Sequence, residues 1–193
     1  MNGYHKIHAC CQSTHSAVEA MLAARERMPR GKDASNITRV TLETHRPGMS
    51  NTAPVTTLAA KFSFEHVVAT AHVHGHAGQE AFSAATLDDP QVKALREKIE
   101  LVKYEPVLPR PHDRPARITL HFDDGSTLTT ECLSARGGPD QPFPEAVILD
   151  KILHITAGAY PHFLHPFRAL MDGDTGVRAQ RWSRMVRQFT EMP

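Results

Sequence analysis

Residues 117–133 read Arg117-Ile118-Thr119-Leu120-His121-Phe122-Asp123-Asp124-Gly125-Ser126-Thr127-Leu128-Thr129-Thr130-Glu131-Cys132-Leu133. Two alternating, β-branched runs flank an Asp-Gly pair, the strongest short-range signal for a β-hairpin in the chain. Upstream, residues 37–44 (Ile37-Thr38-Arg39-Val40-Thr41-Leu42-Glu43-Thr44) and residues 100–104 read as further strands. Between them lie helical patterns. Val18, Met21 and Leu22 recur at i, i+3 and i+4 in residues 12–28, with Pro29 and Gly31 as the stop. Residues 57–74 predict one long, mostly apolar helix ended by Gly75. Residues 79–85 and 90–99 predict two shorter ones, the latter opened by Pro90. Residues 45–54 and the proline-rich 105–115 read as loops. The expected fold is therefore α+β: a small, mostly antiparallel sheet with packed helices.

Beyond this middle part the pattern changes. Residues 134–144 are rich in glycine and proline, and everything after them reads as helix: 145–157, a short piece at 166–171, and 176–189. A domain of residues 1–137 followed by a helical C-terminal segment of residues 138–193 is expected. In that tail Ile148, Leu149, Ile152 and Leu153 form an apolar stripe with little partner surface of its own, which points to a partner helix.

Composition narrows the function classes. The chain has 193 residues, 40% hydrophobic and 22% charged, with a formal net charge of +1. That balance is globular and provides no basic field for nucleic acid. The apolar runs fall far short of the roughly 20 residues of a membrane span. Met1-Asn2-Gly3-Tyr4-His5-Lys6 has no apolar signal core. Cys10, Cys11 and Cys132 are an odd set without framework spacing, so reduced thiols and a cytoplasmic location are expected.

Thirteen histidines invite a metal reading. His72, His74 and His76 sit across a predicted helix end and so point different ways, with no cysteine or carboxylate nearby to complete a zinc set. They read as a solvated helix end, favourable to cations. His162 and His165 are treated alike, and Asp123-Asp124-Gly125 is turn chemistry. No phosphate loop, nucleophile elbow or Cys-x-x-Cys occurs. The densest chemistry lies in Lys6-Ile7-His8-Ala9-Cys10-Cys11-Gln12-Ser13-Thr14-His15, immediately before a helix. A helix N-terminus offers free N–H groups to a carboxylate, Lys6 adds a cation, and His15 lies about one turn in. The other reading of this stretch is a frayed terminus with incidental polar residues.

The order of segments resembles the MmgE/PrpD family, which includes 2-methylcitrate dehydratase, cis-aconitate decarboxylase and iminodisuccinate epimerase. The resemblance rests on the Lys6–Ala20 stretch, on Ile37-Thr38-Arg39-Val40-Thr41-Leu42-Glu43-Thr44-His45 and on Ala59-Ala60-Lys61-Phe62-Ser63-Phe64-Glu65-His66-Val67-Val68-Ala69. Asp89-Pro90-Gln91-Val92, Lys98-Ile99-Glu100-Leu101-Val102, Asp124-Gly125 and Gly138-Pro139-Asp140-Gln141-Pro142-Phe143 follow in the same order. It spans roughly residues 5–155 and implies the family's C-terminal α+β part, with residues 138–193 returning to an all-helical domain that this sequence lacks. It implies lyase or isomerase chemistry on a small polycarboxylate: dehydration, decarboxylation or epimerisation begun by proton abstraction beside a carboxylate. Lys6 resembles the catalytic-site lysine of this part. Cys11 falls near a position that is histidine in some members, and the 45–50 loop resembles one that brings a tyrosine to the pocket. Here that loop offers His45, Arg46 and Met49.

The expected site is thus Lys6 as catalytic residue, with His8, Cys11, His15, His45 and Arg46 binding substrate, and neither metal nor cofactor. Expected partners are the polycarboxylate and a homodimer mate or a separately encoded helical domain, with no nucleic acid and no membrane. Without the helical domain the chain is expected to be inactive. The alternative is a non-catalytic module that self-associates or binds a partner through its apolar tail.

Overall fold

The structure is a computed structural model that describes residues 3–190. The chain divides into two compact units, one ending at Pro142 and one beginning at Phe143. In the first, one 3-10 turn at Gln12–Thr14 runs into α1 (His15–Glu26), followed by β1 (Ile37–Thr44), α2 (Thr57–Phe62) and α3 (Phe64–His74). Then come α4 (Ala84–Leu87), α5 (Pro90–Arg96), β2 (Ile99–Lys103) and the hairpin strands β3 (Ala116–Phe122) and β4 (Thr127–Cys132).

The strands form one sheet in the order β2-β1-β3-β4. β1 pairs antiparallel with β3, and β3 with β4 across the turn at Gly125, whose φ of 82° suits a residue without a Cβ. β2 pairs with β1 in parallel, Val40 opposite Ile99 through Thr44 opposite Lys103. The sheet is therefore mixed, and its parallel pairing follows from the connection. The chain between β1 and β2 contains α2 to α5 and re-enters the sheet in the same direction, as a helical crossover permits. A register shift between Ile37 and Arg39 lets both Ile37 and Val40 face the core, which strict alternation would forbid.

One face of the sheet presents Val40, Leu42, Ile118 and Leu120, all fully buried against α1 and α3. The other is polar and half-exposed. There the Arg117 guanidinium lies 2.8 Å from both Glu43 and Glu131, and Tyr104 Oη donates to Glu131 at 2.7 Å. Alanines 17, 20 and 24 let α1 lie close to its neighbours, and Thr130 Oγ1 donates to the Ala20 carbonyl at 2.7 Å, tying the helix to β4.

The long helix expected over residues 57–74 is broken at Ser63. Its backbone is extended (ψ 122°), and its Oγ accepts the His66 N–H at 3.0 Å while donating to the Asn51 carbonyl at 2.7 Å. A serine that caps the following helix competes with continuation of the preceding one. In α3 every residue from Phe64 to His72 is buried. The expected solvated helix end is corrected there: His72 is 6% exposed, with Nδ1 unpartnered.

The second unit holds α6 (Glu145–Thr156), α7 (Leu164–Met171), α8 (Thr175–Arg178) and α9 (Trp182–Thr190). The single helix expected over 176–189 is two pieces, with Asp174 capping the first through the Val177 N–H. Phe163 stacks on Phe167 and tilts against Phe189, with centroids 5.4 and 5.1 Å away. Among the described residues, no helix is long and apolar enough to cross a membrane.

Burying α3 has a cost at low pH. Nδ1 of His66 lies 3.0 Å from Arg96 Nη1, and arginine only donates, so Nδ1 accepts and the ring is neutral. Burial, then the Arg96 charge, pull its pKa down to about 4; burial, then Arg25, do the same to His72. Unfolded, both return toward 6.5 and bind protons the folded state refuses. Stability is thus complete above that value and falls as pH drops toward 4. The unfolding free energy, from urea titrations at a series of pH values, is expected to fall across this window, by up to about 1.4 kcal/mol per pH unit for each histidine. A flat profile would contradict the burial of these rings.

Candidate functional site

Residues 3–11 form an extended strap anchored by its backbone: His5 N–H donates to the Gly137 carbonyl (2.9 Å), Ala9 to Ala77 (2.7 Å) and Cys11 to Lys61 (2.9 Å). The strap brings two sets of side chains into place. Lys6 is exposed. His8 is buried, with Nε2 3.1 Å from Glu19 Oε1, and Arg136 Nε donates to the same carboxylate at 3.1 Å. Burial works against Glu19, yet His8 and Arg136 hold its carboxyl below the usual range. His15 stands edge-on to His8, centroids 5.1 Å apart. It is 1% exposed, and among the described residues neither ring nitrogen meets a partner at full hydrogen-bond geometry. Burial first, then His8 and Lys6, press its pKa down to about 3, so His15 is a neutral ring at physiological pH.

The other set faces a groove of about 360 Å³. Cys11 from the strap, Arg46, Met49 and Asn51 from the loop after β1, and Phe62 at the end of α2 line it. Thus the structure brings Cys11 together with Arg46 across 34 intervening positions of sequence, in the same concave surface. His45 is not among the lining residues. It is half-buried with its ring edge-on to Phe64 (6.3 Å), and burial, then Arg114 and Arg46, lower its pKa. Lys6, His8 and His15 form the separate, electrostatically coupled group described above. All three cysteines are free, and burial pushes Cys10 and Cys132 up to about 11, so neither is a thiolate at neutral pH.

The groove rests on a residue that sequence reasoning passed over. Glu65, 1% exposed in the first turn of α3, accepts from the Ser50 hydroxyl and from the Asn51 N–H at 3.0 Å, and its carboxylate lies 3.1 Å from Ser63 Oγ. It holds the 49–51 end of the loop from beneath. The signal for it was one carboxylate inside an otherwise apolar helical run. Glu19, four residues after His15, was legible in the same way as a charged residue on a helix face with buried neighbours. Nothing local marks Arg114.

Chemically, the groove combines a thiol, a guanidinium able to grip a carboxylate with two parallel donors, and apolar walls from Met49 and Phe62. It suits a small anion with a carbon skeleton. Among the described residues, no three His, Cys, Asp or Glu side chains converge as a metal site.

Comparison with family models matches residues 8–163 to the MmgE/PrpD C-terminal domain, more than half of the chain. No curated protein matches it.

Removing the Glu65 buttress should free the loop. Glu65→Ala leaves the Asn51 N–H and Ser50 hydroxyl without their buried acceptor, at about 1–3 kcal/mol of stability. Hydrogen exchange at the Asn51 amide is expected to accelerate more than that of β1 or β3 amides. Unchanged Asn51 protection would show that the loop holds its position without Glu65.

Proposed function

The chain belongs to the MmgE/PrpD family, and on that premise we propose that its α+β unit supplies one wall of a site for lyase or isomerase chemistry on a small polycarboxylate. The observation that carries the reading is the meeting of Cys11 and Arg46 in one groove. By the resemblance, Cys11 falls near a position that is histidine in some members, and Arg46 belongs to the loop that resembles one bringing a tyrosine to the pocket. Arg46 grips a substrate carboxylate, and Met49 and Phe62 enclose the carbon skeleton. Proton abstraction beside a carboxylate gathers negative charge on that carboxylate, and cations stabilise the enolate that forms. Lys6 does not line the groove, and its charge reaches Cys10 and His15 on the neighbouring part of the strap; in the complete two-walled site it is the second cation or the proton donor. His8, steadied by Glu19, and neutral His15 support the strap that places Lys6 and Cys11.

The rest of the catalytic set belongs to an all-helical domain, so residues 1–193 bind the polycarboxylate without turning it over. Dehydration, decarboxylation and epimerisation share this first step, and the reading covers all three. The setting is cytoplasmic, with a second copy or a helical domain as protein partner. One feature supports a second, non-catalytic reading as an interaction module: Val55, Leu58 and Phe62 are 85%, 66% and 52% exposed on the loop and helix bordering the groove. Apolar side chains grouped on a surface in this way mark contact with another protein.

Calorimetric titration of citrate into the purified chain is expected to show binding, weakened about tenfold or more in Arg46→Ala, the scale of one charged hydrogen-bonded contact. Neither 2-methylcitrate dehydration nor cis-aconitate decarboxylation should be measurable with the chain alone. Citrate binding that ignores Arg46→Ala would overturn the site, and turnover by the chain alone would overturn the division of labour. A chain that dimerises by light scattering and binds no citrate would favour the interaction module.

A further inference from the structure

A second groove in the first unit uses none of the residues that line the Cys11–Arg46 site. Its volume is about 530 Å³, within the roughly 300–1,000 Å³ of small-molecule sites. Three segments far apart in sequence meet in it: the strap and first turn of α1 with Tyr4 and Ser16, the 110–114 loop, and the 134–140 loop.

Its charges are sorted by segment. Nε of Arg110 and Nε of Arg114 lie 3.6 and 3.9 Å from the same Asp113 oxygen, too far to hydrogen-bond. Two guanidiniums thus share one carboxylate, and their planar, fork-shaped donors remain available. Asp140 belongs to a different segment and approaches Tyr4 over Gly138. A Cβ added at Gly138 would sit 2.8 Å from Asp140 Oδ1 and 2.9 Å from Tyr4 Cε2, so this corner is closely fitted. The Tyr4 hydroxyl is already committed, donating to the Ala135 carbonyl at 2.5 Å rather than to Asp140. Burial, then Asp140, push that phenol up to about 12, which keeps it protonated. Ser16 adds a neutral hydroxyl to the lining.

A neutral ligand would leave the arginines unused, and a plain dianion would place like charge against Asp140. We propose that this groove binds a small organic carboxylate that also carries a hydrogen-bond donor, an ammonium or a hydroxyl, with the carboxylate on Arg110 and Arg114 and the donor on Asp140. It is a site separate from the polycarboxylate groove, and it stands or falls independently of the lyase reading.

The test is NMR titration of the full chain with three probes of equal carbon number: L-aspartate, L-malate and succinate. Aspartate, malate or both should bind at millimolar concentration, with succinate weaker by about tenfold, one charge-assisted hydrogen bond. Amides of Tyr4, Ser16 and Asp140 should shift. The shifts at Tyr4, Ser16 and Asp140 should vanish in Arg110→Ala/Arg114→Ala and persist in Arg46→Ala. Both arginines are solvent-facing (side chains 87% and 42% exposed), so the double variant keeps the fold, as circular dichroism would verify. Asp140→Asn should bring aspartate and malate down to the succinate level. Succinate shifting these three amides as strongly as the other probes, no probe shifting them, or shifts there that survive loss of both arginines would each overturn the proposal.

Discussion

The first unit is arranged around a helix whose residues from Phe64 to His72 are all buried. Such burial gains apolar contact with α1, α5 and the sheet, but α3 takes Glu65, His66, Thr70 and His72 inside with it. A buried polar group must find a partner or become neutral. Each solution found here shapes the surface above it. Glu65 stays hydrogen-bonded and in doing so pins Ser50 and Asn51. His66 stays neutral because Arg96 fills its acceptor nitrogen. His72 is neutral as well, while its carbonyl anchors Arg25 at 2.8 Å.

The site therefore inherits its shape from the core. The loop after β1 is held from beneath at Ser50 and Asn51, and the strap before α1 is held by backbone hydrogen bonds to Lys61, Ala77 and Gly137. Cys11 and Arg46 come from these two separately anchored segments and line the same groove.

Local signals in the sequence were enough for some elements and not for others. β1 is legible to the residue because its β-branched alternation is bounded by the loop starting at His45, and the β3–β4 hairpin is legible from Asp123-Asp124-Gly125-Ser126. The break at Ser63 is a tertiary matter. Serine is tolerated within a helix, and its partner here, the Asn51 carbonyl, is supplied by a loop twelve residues away. The parallel β1–β2 pairing likewise depends on where four short helices return the chain. Cys11 and Arg46 were reached through the segment order shared with the MmgE/PrpD family, whose C-terminal domain model covers residues 8–163. Residue chemistry pointed to the strap but could not say which loop it faces. The Arg110–Arg114 groove joins three segments through contacts that no spacing in the sequence announces.

The central claim is that the strap and the loop after β1 together form a polycarboxylate site. The most direct measurement is a crystal structure of the chain soaked with tricarballylate, a tricarboxylate without a hydroxyl. The account predicts density for the ligand between Cys11 and Arg46, with a carboxylate on the Arg46 guanidinium and the chain of carbons against Met49 and Phe62. An empty groove under saturating ligand, or tricarballylate lodged elsewhere on the α+β unit, would contradict it.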